Sequence, residues 1–233
     1  KPEELKNAFR EAKESSVSGN IILEEYMYGP ELSIDALVHN NQIDITGVAD
    51  RIIERPPYFV EMGHTMPSAR PQFELDEAID VFKSALTALG VTIGAGKGDI
   101  RLTSEGPKIV EVAARLSGGW MSAYTYPLSS GVNLYRAAIE IILGGKPSFL
   151  KPKKDWVSAE RAIIAEPGKI LSIKGVNEAR KIKGVAEVIL LKEPGDMVSE
   201  MKSNMGKVGY VITAAKDREE AILRSKRALE EFI

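Results

Sequence analysis

The segment from Gly98 to Gly119 decides the fold, and its sequence is GDIRLTSEGPKIVEVAARLSGG. Two short strand-like runs, Asp99 to Leu102 and Lys108 to Ala113, flank a turn that runs from Ser104 to Gly106. Such runs on both sides of a glycine-containing turn are typical of a β-hairpin. We therefore predict two adjacent strands in this segment.

One carboxylate lies on each predicted strand, Asp99 on the first and Glu111 on the second. If both side chains point to one face, the hairpin presents two carboxylates together. Adjacent carboxylates repel unless a cation lies between them, and Mg²⁺ prefers oxygen ligands of this kind. The pair is therefore a candidate metal site. The alternative is that both groups are solvated charges on an exposed hairpin.

A cation and two glycines follow the second strand. Arg115 comes four residues after Glu111, and Gly118 and Gly119 end the segment. A guanidinium with nearby backbone N–H groups can surround an anion, and arginine suits planar phosphate and carboxylate groups. The alternative is a surface loop with an arginine and two glycines that provide conformational freedom.

Composition limits the classes of function. The chain has 233 residues, enough for one large domain or two modest ones. Its net charge is −2 and no long basic run occurs, so we expect no nucleic-acid partner. It has no Cys and only two His, which excludes disulfides and argues against a zinc enzyme. Its apolar runs are far shorter than the roughly 20 residues that span a bilayer. We therefore expect no membrane partner and a cytoplasmic location.

Hydrophobic periodicity predicts the secondary structure. Helices are expected at Pro2 to Ser15, Asp76 to Leu89, Val132 to Leu143 and Asp217 to Phe232. Further strands are expected at Ile21 to Leu23, Glu31 to Val38, Ile43 to Ile53, Ala159 to Ala165, Ile170 to Ile173, Val185 to Leu191 and Val208 to Thr213. Residues 54–72 are expected to form a long surface loop, and Lys146 to Trp156 a linker.

This pattern of hairpins with helices at their ends favours an α+β fold over a doubly wound sheet. We predict a mixed sheet core at about residues 21–145 and a smaller α+β unit after about residue 157. The corresponding domains are residues 1–150 and residues 151–233.

The hairpin resembles the metal-binding hairpin of ATP-grasp enzymes, in which an acidic residue and a turn precede Glu-x-Asn-x-Arg. The resemblance implies that Asp99 and Glu111 hold Mg²⁺, or Mn²⁺, against the phosphates of ATP. It also implies that Arg115 assists acyl-phosphate chemistry. Two positions depart from the pattern, because Asp99 is shorter than the usual glutamate and Ala113 replaces the asparagine. Sites for one metal ion and for two therefore both remain open.

Two upstream segments are also similar to ATP-grasp sequences. The segment ILEEYMYGPELSIDALV resembles the adenine-binding hinge, and Glu31 matches the residue that contacts the ribose hydroxyls. The hinge residues implied are Glu24, Glu25, Tyr26 and Met27. The segment YFVEMGHTMPSARP resembles the substrate-side loop of carbamoyl-phosphate-synthase-like and L-amino-acid-ligase-like proteins. The implied contacts are His64 to phosphate, and Glu61, Ser68, Gly118 and Gly119 to substrate.

The implied fold is the nucleotide- and metal-binding half of an ATP-grasp fold. The smaller C-terminal α+β unit resembles the domain that follows the core in biotin-carboxylase-like and L-amino-acid-ligase-like proteins. The implied function is an ATP-dependent ligase that joins a small-molecule carboxylate to an amine through an acyl phosphate. A non-catalytic nucleotide-binding or regulatory module is the alternative, favoured by Ala113, and a structural partner in a split synthetase is a third hypothesis.

The family carries phosphate-gripping lysines in a subdomain before the region that this chain resembles. We therefore expect the chain to be a fragment, or to depend on a homodimer mate or another chain for that part. We also expect it to show little ligase activity alone, because one charge-assisted contact is worth on the order of 1.5–3 kcal/mol.

Overall fold

The computed structural model describes residues 2–147 and 150–232. Its α-helices are α1 (Pro2–Ser15), α2 (Gln72–Ala88), α3 (Tyr126–Ser130), α4 (Leu134–Ile142), α5 (Val176–Lys181) and α6 (Arg218–Glu230). Its strands are β1 (Glu31–His39), β2 (Gln42–Glu54), β3 (Val60–Met66), β4 (Gly94–Thr103), β5 (Gly106–Ala113), β6 (Val157–Ile163), β7 (Gly168–Lys169), β8 (Val185–Leu190), β9 (Met197–Val198) and β10 (Gly209–Ala215). A π-helical turn (Met121–Thr125) leads into α3.

Eight of these strands form one sheet in the order β5-β4-β1-β2-β3-β6-β10-β8, and every neighbouring pair is antiparallel. The α+β class is confirmed. The expectation of a mixed sheet that ends near residue 145 is wrong, because β3 pairs with β6 from Gly63↔Arg161 to Met66↔Ser158. The sheet therefore runs through both predicted parts, and a domain boundary near residue 150 stays a prediction.

Strand β1 lies between β4 and β2 and is buried along its whole length. Polar Glu31, Ser33 and Asp35 alternate with apolar Leu32 and Ile34. Because successive side chains of a strand point to opposite faces, the sheet has one polar face and one apolar face here. The apolar face packs against α2, and the polar face carries the site described below.

Glycines on β4 let α2 lie directly on the strand. A Cβ atom on Gly98 would lie 2.5 Å from Cδ2 of Phe82, and one on Gly96 would lie 2.6 Å from Cδ2 of Leu86. The residues between and after these glycines, Lys97 and Asp99, point to the opposite face. One face of β4 thus packs tightly against α2, and the charged side chains of the same strand point to the other face.

The far end of the polar face is covered by the π-helical turn, α3 and α4. Their apolar side chains pack on Leu37 of β1, Ala49 of β2 and Met66 of β3. Helix α4 begins at an N-cap, Asn133, whose side chain accepts a hydrogen bond from the backbone N–H of Arg136. These helices close one end of the site.

The C-terminal part has its own apolar cluster beneath α5 and α6. Helix α6 starts at Asp217, whose carboxylate accepts a hydrogen bond from the backbone N–H of Glu220, as the predicted cap requires. The next residue, Arg218, pairs with Asp50 of β2 and donates to the carbonyl oxygen of Pro67 at 2.7 Å. This contact ties α6 to the first part of the sheet.

Three predicted elements differ from the structure. Residues 21–23 form no strand, because among the described residues no neighbouring strand pairs with them. The expected loop at residues 54–72 contains β3, whose alternation is obscured by polar residues and Gly63. Residues 170–173 are irregular, and only Gly168–Lys169 before them pairs as a short strand. Within the described ranges, no helix has the length and apolar character needed to cross a bilayer.

We predict that Phe82→Ala destabilises the protein by about 3–5 kcal/mol, because it empties the contact between α2 and the sheet. Phe82 is 0% exposed. The matched control is Phe73→Ala on the same helix, where the side chain is 64% exposed and little change is expected. Urea unfolding of both variants measures the difference, and equal losses would contradict this packing.

Candidate functional site

The two predicted metal ligands lie directly opposite each other. Asp99 of β4 pairs with Glu111 of β5 in the sheet register, and Ser33 of β1 lies on the other side of Asp99. Residues directly opposite on antiparallel strands point to the same face. Asp99 and Glu111 therefore lie on one face of the hairpin, whereas the distance between their carboxylates and their role as metal ligands stay predictions. Asp99 is buried, and the side chain of Glu111 is 54% exposed at the rim.

Arg51 of β2 joins three carboxylates beside this pair. Its Nη1 atom lies 2.5 Å from Oε1 of Glu31 and 2.6 Å from Oδ2 of Asp99, and its Nη2 atom lies 3.2 Å from Oε2 of Glu61. Burial raises the pKa of the Glu61 carboxyl, but the charge and hydrogen bonding of Arg51 act the other way, and the net pKa is lowered. Glu61 therefore stays ionised next to Arg51.

A second cation, Lys97, lies on the same face of β4. Its ammonium contacts Asp99 and lies 3.9 Å from Oε1 of Glu111. Asp99 thus faces two cations, but its other oxygen, Oδ1, is buried and has no hydrogen-bond partner among the described residues. Arg115 stands at the exposed rim, with Nη2 at 3.6 Å from Oε1 of Glu111.

Asp35 of β1 is an almost fully buried carboxylate on this face, with 1% of its surface exposed. Oδ1 accepts a hydrogen bond of 2.5 Å from the hydroxyl of Ser117, and Oδ2 has no hydrogen-bond partner in the part of the chain that the structure describes. Burial raises the pKa of Asp35 to about 6, against the opposing effects of Ser117 and Lys97. The group therefore changes charge in a range where ordinary aspartates are already ionised.

A polar pocket of about 230 Å³ lies on this face, and neither Asp35 nor Glu31 lines it. It brings together six residues that the sequence predicts for the site: Glu61, Asp99, Glu111, Arg115, Gly118 and Gly119. It also contains six that the sequence did not single out: Ser33, Arg51, Lys97, Ser117, Met121 and Asn204. Strand alternation from Asp99 could have revealed Lys97, whereas Asn204 enters from the C-terminal part without any local signal.

The residues expected to bind ATP do not line this pocket. The predicted hinge from Glu24 to Met27 is an irregular segment, and Tyr26 stacks on Phe59 at 5.0 Å between ring centres. Its adenine contacts stay a prediction. Glu31 is paired with two arginines, because Arg51 and Arg101 each lie 2.5 Å from one of its oxygens, and its contact with the ribose hydroxyls stays a prediction.

Two further residues expected at the site, His64 and Ser68, do not line this pocket, and their ligand contacts stay predictions. His64 is fully buried, with Nδ1 at 3.0 Å from Glu160 and Nε2 at 2.7 Å from Thr125, so it does not face a phosphate in the pocket. Ser68 donates to Asp50, the neighbour of Arg51 on β2. Adjacent strand residues point to opposite faces, so Ser68 lies on the wrong side of the sheet for a substrate contact in this pocket.

The pocket offers a divalent cation some of its ligands but not a complete set from protein side chains. Within residues 2–147 and 150–232, no three His, Asp or Glu side chains form a ready metal-binding group. Asp99 and Glu111 offer oxygen donors, and the partnerless Oδ1 of Asp99 leaves a coordination point. Mg²⁺ is commonly held by one or two carboxylates, with substrate phosphates and water as the other ligands. The residues present therefore fit a magnesium–nucleotide complex.

We predict that Asp35→Asn changes stability in a pH-dependent way. The pKa of Asp35 is about 6 in the folded chain against an ordinary 3.8. Because the pKa of Asp35 is raised in the folded chain, its contribution to the free energy of unfolding is fully present below about pH 4. That contribution is lost as the pH rises through about 6. The shift corresponds to about 3 kcal/mol at most.

The asparagine variant still accepts a hydrogen bond from Ser117 and does not ionise. Its stability relative to the unchanged chain should therefore rise between pH 4 and pH 7.5, as measured by urea unfolding at several pH values. A difference that stays constant across this range would show that Asp35 is ionised throughout.

Sequence comparison places this geometry in a family. The ATP-grasp domain matches residues 2–124, and L-amino acid ligase C-terminal domain 2 matches residues 161–232. Uncharacterized protein y4rH of Sinorhizobium fredii is 27% identical over 213 residues, which cover 91% of this chain and 44% of that protein. The L-arginine-specific L-amino acid ligase of Bacillus subtilis is 27% identical over 129 residues, 55% of this chain and 31% of that enzyme.

Solved structures show the same fold. L-amino acid ligase from Bacillus licheniformis matches with a TM-score of 0.83 and 20% identity, over 100% of this chain and 59% of that chain. Biotin carboxylase from Campylobacter jejuni matches with a TM-score of 0.70 and 19% identity, over 100% of this chain and 53% of that chain. This chain thus spans about half the length of these proteins. Because the ATP-grasp match covers more than half of its residues, from α1 through the hairpin of the pocket, the chain belongs to the ATP-grasp family.

Proposed function

We propose that this chain is the nucleotide- and metal-binding part of an ATP-dependent ligase that joins a carboxylate to an amine. The observation that carries the proposal is the pairing of Asp99 with Glu111 on one wall of a polar pocket. Arg115 and the glycines Gly118 and Gly119 line the same pocket. Oxygen donors for a metal, a guanidinium and a glycine pair therefore line one small volume.

In this proposal Asp99 and Glu111 hold Mg²⁺, or Mn²⁺, with the phosphates of ATP. The metal ion, when bound, neutralises charge on the phosphoryl group. Arg51 keeps Asp99 in place by an ion pair of 2.6 Å and keeps Glu61 ionised. Arg115 lies at the exposed rim, with its guanidinium 3.6 Å from Glu111. Because its side chain is half exposed, it can approach a phosphoryl or acyl-phosphate oxygen.

The proposed reaction has two steps. An oxygen of the substrate carboxylate attacks the γ-phosphorus of ATP, and the bond to the bridging oxygen breaks to release ADP. The amine nitrogen then attacks the acyl carbon of the resulting acyl phosphate, loses a proton and expels inorganic phosphate. Such chemistry depends mainly on positioning and charge stabilisation, which a pocket with several fixed cations supplies.

Amino acids are the substrates that we propose for both roles. Two relatives are named for such chemistry, the L-arginine-specific L-amino acid ligase of Bacillus subtilis and Carnosine synthase 1 of Homo sapiens. The human protein is 26% identical over 130 residues, 55% of this chain and 16% of its own length. Glu61, with Gly118 and Gly119, would contact the substrate. The hinge from Glu24 to Met27 would contact adenine, and a cytoplasmic location stays a prediction.

A nucleotide-binding module without turnover is the second candidate. Ala113 favours it, because this position lacks the asparagine of the ATP-grasp hairpin and adds no metal ligand to the carboxylate pair. The two functions differ in one observable. A ligase releases phosphate only when a suitable carboxylate is present, whereas a binding module holds nucleotide without releasing phosphate.

We predict that Glu111→Gln lowers substrate-dependent phosphate release by roughly tenfold to a hundredfold and weakens magnesium-dependent nucleotide binding, because one of two carboxylate ligands is lost. The matched control is Glu105→Gln at the tip of the same hairpin, where the carboxylate pairs with Lys108. Phosphate release is measured with Mg²⁺, ATP and a panel of amino acids, using the protein that contains this chain.

Retention of full activity by Glu111→Gln would overturn the metal assignment. Nucleotide binding without phosphate release across the whole panel would support the binding module instead. Calorimetric titration of ADP and Mg²⁺ into both variants separates a loss of nucleotide affinity from a loss of turnover.

A further inference from the structure

Lys97 is the buried cation that faces the carboxylates of the site. It lies directly across from Asp35 of β1 in the sheet register, and its ammonium contacts Asp99 and lies 3.9 Å from Glu111. Its side chain is only 10% exposed. Three carboxylates on three adjacent strands therefore surround one lysine head group.

The residue opposite Lys97 on β5 is Ala113. A methyl group at this position adds no polar atom and leaves the space beside the strand to the long side chain of Lys97. The strand pair therefore has a lysine at the position opposite Ala113, where it has no metal ligand.

The charges show why this arrangement matters. Arg51 reaches Asp99 at 2.6 Å, whereas the cations near Glu111 are Lys97 at 3.9 Å and Arg115 at 3.6 Å on the exposed rim. A lysine between Asp99 and Glu111 offsets their mutual repulsion when no other cation is bound. A divalent ion that binds both carboxylates must displace that ammonium or share the carboxylates with it. The partnerless Oδ1 of Asp99 remains the point at which such an ion can enter.

We infer that Lys97 is an internal cation that takes the place of a second divalent ion between Asp99 and Glu111 and weakens binding of the first. This inference rests on the proposed function, because it concerns the same carboxylate pair. Its consequence is that one divalent ion binds per chain, and that its affinity is set by competition with a tethered lysine. Lys97 thereby determines the metal requirement of the site.

The test is Mn²⁺ binding, measured from the electron paramagnetic resonance signal of free Mn²⁺ with and without ADP. Lys97→Met and Lys97→Gln should each tighten Mn²⁺ binding by roughly tenfold or more, because both remove the competing charge. Glutamine keeps a hydrogen-bond donor for Asp99, so it remains informative if the methionine variant does not fold. Both should melt at a lower temperature in EDTA and gain more from added Mn²⁺ than the unchanged chain does.

Two further variants identify the cause. Lys97→Arg keeps the positive charge and should bind Mn²⁺ within about threefold of the unchanged chain. Lys108→Gln removes a lysine from the same hairpin that pairs with Glu105, and it should change nothing. Tightening by Lys97→Arg as large as that by Lys97→Gln would overturn the inference, since charge would not be the cause.

The outcomes also separate this inference from the proposed function. The role of Lys97 is overturned if both neutral variants bind Mn²⁺ with unchanged or weaker affinity. It is also overturned if no variant binds Mn²⁺. If ADP binds in those same experiments, the proposed function survives that result. If Mn²⁺ affinity follows the charge at position 97 but neither ADP nor ATP binds, the inference stands and the ligase proposal fails.

Discussion

The structure depends on one ion-pair centre, the largely buried guanidinium of Arg51. It lies within ion-pair distance of Glu31 on β1, Asp99 on β4 and Glu61 on β3, so a single side chain links four neighbouring strands. Buried carboxylates are costly unless they are paired. Arg51 therefore allows this face of the sheet to hold a dense set of acidic groups and still fold. Removal of Arg51 would leave those carboxylates facing one another.

The sheet has an apolar face that packs against α2 and a polar face that carries the charged residues of the pocket. On β4, the small residues Gly96 and Gly98 accept the large side chains of α2, whereas Lys97 and Asp99 face the pocket. Packing density on the apolar face holds the strands rigidly in register. The strand register sets which charged groups lie together on the polar face, and the proposed phosphoryl transfer would depend on such fixed charges.

The C-terminal part contributes to the site as well as to stability. Its strands continue the sheet through the β3–β6 ladder, and Arg218 of α6 pairs with Asp50 of β2. Asn204 lines the pocket from this side. Glu160 of β6 holds His64, which explains why that histidine is part of the scaffold and does not reach the pocket. The two matched regions of the chain thus meet at the site.

The sequence alone determined the local features of this protein. The hairpin, the opposed pair Asp99 and Glu111, the cap at Asp217 and the α+β class all follow from neighbours along the chain, because turns, caps and strand alternation act over a few residues. Only the tertiary structure decided which polar residues share the pocket. Glu31, His64 and Ser68 looked available in the sequence, but distant partners bind them: Arg101, Glu160 and Asp50. Such pairings depend on which strands lie side by side, and no local pattern encodes the order of strands that are distant in the chain.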